Sequence, residues 1–301
     1  MKRILIFATA LLFAYSAFSQ EGTVDTSLAS DTTYWANSVK VGLNFNQSAF
    51  SSNWKAGGVN SIAFGGYLHS ILNYEKDKIS WNNEIDLQYG IVKNEGQGIR
   101  KNIDRILLDS KVGRKISKNW DLYGSMNFLT QFDNGYNYVE NAAGEEEQQL
   151  LSKFMNPAFL TFALGFEYKP VDYFWLRLSP VAPRFTFVTD TTIYRNVPAN
   201  YGVEIGDKMR QEWLGGNLTA SFDKDVAHNL NIKALYAMYA NFEALRFSAI
   251  DHRLDFVLTA KITKIIDVNL RAIALYDKDQ DDDIQFSQSL AIGLVYQIQN
   301  R

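Results

Sequence analysis

Charged side chains recur at alternate positions inside otherwise apolar stretches of this chain. The acids are Glu84, Asp86, Asp109, Asp121, Glu167 and Asp255; the bases are Arg105, Lys111, Arg177, Lys233, Arg253, Lys261 and Arg271. A period of two is that of a strand, whose side chains point alternately to opposite faces. The charges therefore share one face of a sheet, and the residues between them share the other. On 81–91, Trp81, Ile85, Leu87, Tyr89 and Ile91 oppose Asn82, Glu84, Asp86 and Gln88. Such a set could select ions, guide a polar solute or hold a polar interior together. A strongly selective pore carries a ring of one sign. Here six acids meet seven bases and the signs interleave: Glu84 and Asp86 fall on the strand beside Arg105 and Lys111, and Glu167 falls beside Arg177. Charges held away from bulk water need such partners. The expectation is a salt-bridged polar lumen, with a conducting or solute-guiding lumen as the second reading.

Other residue groups carry weaker chemistry. Asp277, Asp279 and Asp281 begin a D-x-D-x-D run that resembles the start of a calcium loop. Asp282 stands where that loop needs glycine, and Gln288 where it needs a bidentate glutamate. A solvated acidic turn is expected there, with a loose divalent-cation site as the alternative. Trp54, Gly57, Gly58 and Asn60 form a glycine-rich loop that is either a tight turn or a partner contact. Residues 145–155, ending before Asn156-Pro157, are rich in helix formers and suggest a short helix within the long connection 133–157.

A hydrolase needs a nucleophile and a base within hydrogen-bond reach. His69 and Ser70 are adjacent and point to opposite faces, His228 falls at a turn, and His252 near a strand end has only Ser248 as a loop neighbour. There is no G-x-S-x-G, H-E-x-x-H, phosphate-binding loop or cysteine. No enzymatic activity and no cofactor are expected, and an outer-face lipid hydrolase is the remote alternative.

The elements that must position these residues are about twelve strands, near 36–46, 61–74, 79–92, 102–116, 119–132, 158–169, 172–188, 210–223, 228–241, 250–263, 265–277 and 284–299. Each is long enough for the roughly 9–11 residues a tilted strand needs to cross a bilayer. Their connections alternate between short ones and longer ones, the latter at 47–60, 93–101, 133–157, 189–209, 242–249 and 278–283. That alternation and an even strand count fit a bacterial outer-membrane barrel. Aromatic residues near strand ends, among them Trp35, Tyr74, Trp81, Trp120 and Tyr168, fit interfacial girdles. Strands this long and numerous disfavour a soluble sandwich.

The chain opens on Lys2-Arg3, an apolar run over Ile4–Phe13 and Ala17-Phe18-Ser19, the pattern of a cleaved secretory leader. The apolar run is too short to span about 30 Å of hydrocarbon comfortably. Without cysteine there is neither a disulfide nor a lipid anchor on an N-terminal cysteine. The net charge is −3, and losing Lys2 and Arg3 with the leader makes it more acidic, which disfavours nucleic acid.

The string Trp54-Lys55-Ala56-Gly57-Gly58-Val59-Asn60-Ser61, followed by Tyr74, Trp81-Asn82-Asn83 and Tyr89-Gly90, resembles an uncharacterised outer-membrane barrel family of Bacteroidota catalogued only as a domain of unknown function. The resemblance implies a barrel in a Gram-negative outer membrane. It carries no catalytic residue and no ligand.

The expectation is therefore an all-β transmembrane antiparallel barrel over 36–301, behind a leader at 1–19 and a short periplasmic lead-in at 20–35. The function expected first is a narrow channel for small solutes. The alternative is a non-conducting structural or accessory subunit of an outer-membrane complex. Outer-membrane lipid and other envelope proteins are the expected partners.

Overall fold

The computed structural model describes residues 34–51, 58–141, 144–243 and 250–300. The leader 1–19 and nearly all of the lead-in lie outside them, as do Trp54 and Gly57.

Alternation of apolar and polar residues makes each long segment a strand. In chain order these are β1 (Trp35–Ser48), β2 (Ser61–Lys76), β3 (Ile79–Asn94), β4 (Ile99–Lys115) and β5 (Trp120–Thr130). A small hairpin follows, β6 (Gly135–Glu140) and β7 (Glu146–Ser152), and then β8 (Ala158–Val171). The next two long strands are each interrupted once: β9 (Phe174–Val181) runs on into β10 (Arg184–Phe187), and β11 (Met209–Glu212) runs on into β12 (Gly215–Ala227). The wall finishes with β13 (Leu230–Asn241), β14 (Ile250–Lys261), β15 (Ile266–Tyr276) and β16 (Gln285–Asn300). β1 pairs antiparallel with β16, and β8 with β9, so twelve strands close into a barrel. Closure leaves no open edge, which is what hydrocarbon demands of a strand-built wall.

Gly165 marks the tightest seam. A Cβ there would lie 2.0 Å from the Leu178 carbonyl oxygen, and the β8–β9 register shifts between Leu164 and Phe166. Only glycine lets the two backbones approach so closely.

The molecule is inside out relative to a water-soluble fold. Leu43, Phe64, Leu164, Phe286, Ile292 and Leu294 are exposed on the outer wall, whereas Glu167, Lys111, Glu212 and Gln88 are buried within. Rings cluster at both rims. At the short-turn end Trp35 packs on Tyr74 and Trp81, and Trp120 on Tyr168; at the long-loop end Phe45 packs on Phe64, and Phe185 on Trp213. Trp35–Tyr74 and Phe45–Phe64 are register pairs ten positions apart. At ~3.3 Å per residue and a tilt of ~40°, that spacing spans about 25 Å, the height of a lipid-facing band.

The loops at the long-loop end build the one buried apolar cluster found among the described residues. Val188, Ile193, Val197 and Val203 pack together, with Leu150, Leu151 and Tyr201 against them. Two features differ from expectation here. The segment expected as a helix over 145–155 is mostly β7, which pairs with β6; Arg100 joins it through Glu146 and lies 4.0 Å over the Tyr138 ring. Pairing with β6 and packing of Leu150 and Leu151 on the loop core outweigh the helix propensity of the glutamates. The connection expected over 93–101 shrinks to 95–98, because the β3–β4 ladder continues to Lys93↔Ile99.

The lumen as candidate functional site

The register chains fix which residues share the inner face. Lys40↔His69↔Asp86↔Leu107 runs across β1 to β4, Asp121↔Glu167↔Arg177↔Thr219 across β5 to β12, and Lys261↔Asp267↔Gly293↔Asn44 from β14 round to β1. By this parity all thirteen charged residues named from the sequence lie on the lumen face. Their pairings were only partly foreseen. Glu167 does meet Arg177, its register partner. Glu84 instead lies opposite Asp109, Arg105 opposite Gln88, and Lys111 reaches past β5 to Glu167.

Three groupings result. Near the short-turn end, Glu167 is fully buried and accepts from Lys111 (2.6 and 2.8 Å), Lys169 (2.6 Å) and Arg177; Lys169 also bonds Asp121 at 3.2 Å. Three cations on one carboxylate, itself beside a second, satisfy the requirement that buried charge be paired. Next to them the Tyr123 hydroxyl and Ser179 are hydrogen-bonded.

At mid-height Arg105 faces Asp86, Asp255, Arg253 and Arg271, and Arg253 holds Asp255 through a bidentate pair at 2.6 and 2.9 Å. Arg271 on β15 donates to Gln88 Oε1 on β3, with β16, β1 and β2 between those strands in the wall. That bond spans the lumen.

Toward the long-loop end Arg184 bonds Glu212 (2.8 Å) and Asp251 (2.6 Å) and stacks over the Tyr239 ring, while Arg210 joins Glu212 to Asp279 of the 277–283 loop. The reading from sequence missed these residues because strict alternation puts positions 184, 210 and 212 outside. One extra residue between Leu178 and Val181, opposite Leu164–Phe166, and one at Trp213-Leu214 each shift the parity by one. Pro180, which falls in that stretch and cannot donate to a ladder, is the available signal, and Trp213 and Leu214 both pointing outward is its counterpart on the next strand.

The remaining wall is wetter. Lys233 and Asp223 are half-exposed and 3.9 Å apart. Lys261 lies opposite Asp267, and Asp109 accepts from Asn127. His69 faces Glu84 and Asp86, with Nδ1 3.6 Å and 3.8 Å from the two carboxylates. The sequence reading sets His69 against Ser70 alone, whereas strand parity places it beside the two acids.

The acidic loop does not gather its carboxylates. Asp277 accepts from the Asp279 amide and from Gln280, Asp279 is held by Arg210, and Asp281 accepts from the Asp283 amide. Burial pushes the Asp277 carboxyl above its ordinary range. In the glycine-rich loop, Gly58 has φ +132 and the Phe50 ring lies where a Cβ would point. Asn60 accepts from the Phe50 amide and donates to Glu95 at 2.7 Å, so it ties this loop to the β3–β4 turn. His252 is engaged by the Tyr236 hydroxyl at 2.7 Å.

No curated protein matches the sequence. In fold, the chain is similar to an outer-membrane channel of Pseudomonas putida F1, with TM-score 0.41 and 12% identity over 92% of this chain and 100% of that one. It is similar to the translocator domain of autotransporter NalP from Neisseria meningitidis, with TM-score 0.39 and 10% identity over 98% and 95%. It is also similar to the NanC porin, with TM-score 0.39 and 11% identity over 85% and 98%. Residues 45–136 match the family described as Protein of unknown function (DUF3078).

Proposed function

We propose that the protein is an outer-membrane channel for small polar solutes, exported by its leader, surrounded by lipid and without a catalytic role. One observation carries this reading: the inner face stays polar from the half-exposed Lys233–Asp223 level to the belt of Arg105, Arg253 and Arg271. In that belt the guanidiniums of Arg105, Arg253 and Arg271 meet the carboxylates of Asp86 and Asp255. Three guanidiniums against two carboxylates at this level favour small anions over cations.

Single-channel recording of the detergent-purified barrel in planar bilayers, in a salt gradient, tests this. A reproducible conductance with modest anion preference is expected. Arg271→Ala, which removes the link across the lumen, raises the conductance severalfold, and Arg105→Ala reduces the anion preference. A folded barrel that stays silent, with Arg271→Ala silent as well, overturns the channel.

The second reading is a closed barrel that anchors a partner. Two observations favour it: the Arg271–Gln88 bond spans the lumen, and the long loops pack a core of their own. Stable co-purification of one envelope protein with a silent barrel would support it.

A further inference from the structure

We propose that His69, Glu84 and Asp86 form a binding site for one divalent transition-metal cation on the lumen wall. The three potential ligand atoms lie within 4.8 Å of one another. β2 supplies the imidazole, and β3 supplies both carboxylates from positions i and i+2 of one face, with Asp86 directly opposite His69. A rigid, closed sheet fixes the three Cα positions, so the site owes little to loop order.

The spacing is that of groups gathered around a shared point rather than bonded to one another. Nδ1 stands 3.6 Å from Glu84 and 3.8 Å from Asp86, beyond hydrogen-bond range for both. Ligands of one tetrahedral ion stand about 3.4 Å apart when each lies ~2.0–2.2 Å from the metal. Small side-chain rotations close that difference.

A second observation concerns orientation. Arg271 donates to Gln88 Oε1, which leaves the Gln88 amide nitrogen to donate, and it bonds Asp86 Oδ1 at 2.7 Å. The other oxygen, Oδ2, is the one turned to His69. Carboxylate ligands held by an outer hydrogen bond in this way are characteristic of metal sites. The site is also reachable, with the Glu84 side chain 39% exposed and that of His69 23% exposed.

The donor set selects the ion. One imidazole and two carboxylates suit Zn²⁺, Co²⁺ or Mn²⁺, whereas Ca²⁺ and Mg²⁺ prefer all-oxygen shells. Lys40, opposite His69 in the register, and Lys233 bring positive charge near the imidazole and keep the affinity moderate.

The test uses the full mature barrel in detergent, stripped with a chelator, with folding checked by heat-modifiable gel mobility. Calorimetric titration with zinc chloride is expected to show one equivalent bound, undisplaced by millimolar Mg²⁺. Co²⁺ should give visible d–d absorption bands. His69→Ala and Glu84→Gln should each weaken binding at least tenfold, and Gln88→Met about tenfold through loss of the outer hydrogen bond. Folded wild type that binds no Zn²⁺ overturns the proposal. So does one equivalent bound equally by His69→Ala and Glu84→Gln, which would place the ion elsewhere, for example on the 277–283 loop. Neither result depends on whether the barrel conducts.

Discussion

Glu167 and Glu84 stand on the same inner wall and live in opposite surroundings. Glu167 is fully buried among Lys111, Lys169 and Arg177. Glu84 is part-exposed, with Asp109 opposite it and Asp86 two residues along its own strand. One cluster has more cations than carboxylates and shuts Glu167 away from water; the other gathers carboxylates around a histidine and admits it. A buried charge that loses its partners is expensive, so the first arrangement holds the barrel's shape. Carboxylates that repel one another in water gain from a cation, so the second is suited to binding. Position on the lumen face does not decide a charged residue's role; the sign and number of its neighbours do.

The largest expected break in that contrast is Glu167→Gln. It leaves Lys111 and Arg177 buried without their counter-charge and should cost about 3–5 kcal/mol. Urea unfolding of the detergent-folded barrel would measure it. Lys111→Met should cost less, about 1.5–3 kcal/mol, because Glu167 keeps Arg177 and Lys169. Equal costs would mean that Lys111 and Glu167 act as an isolated pair.

The loop core at the other end sharpens the comparison, since its stability is apolar. Ile193 is almost fully buried, and Ile193→Ala should loosen the loops by about 2–4 kcal/mol. Hydrogen exchange or protease nicking within 188–208 should report this while the barrel's unfolding midpoint stays put.

Acid probes the same loops. Lys153, bonded to Asp190 at 2.5 Å, together with the Thr192 hydroxyl and amide, lowers the Asp190 carboxyl from its ordinary 3.8 to about 2. A depressed carboxylate stabilises the fold above its unfolded pKa and loses that contribution as pH falls through the folded one. Nicking of the loops should therefore rise between about pH 4 and pH 2, and Asp190→Asn should flatten that rise. The smallest effect is expected at Glu84→Gln, within about 0.5 kcal/mol of wild type in stability. A loss like that of Glu167→Gln would show Glu84 to be structural and erase the distinction.

Much of this was legible in the residues. Alternation marked the twelve strands to within a few positions, because a strand with lipid on one side and a polar interior on the other has no other way to satisfy both. The same parity placed Glu84, Arg105, Glu167 and Arg253 on the inner face. It failed at Arg184, Arg210 and Glu212, where one inserted residue per strand reverses the faces, and at 146–152, where local propensity favoured a helix and pairing with 135–140 prevailed.

The sequence by itself thus determined the period, the faces and the count of the wall, since those follow from neighbours along the chain. Only the tertiary structure decided who meets whom across the barrel: Arg271 with Gln88, Lys111 with Glu167, His69 with two acids, and the loop core over Ile193. Such meetings depend on register and closure, which are set by the whole sheet and leave no mark at any single position.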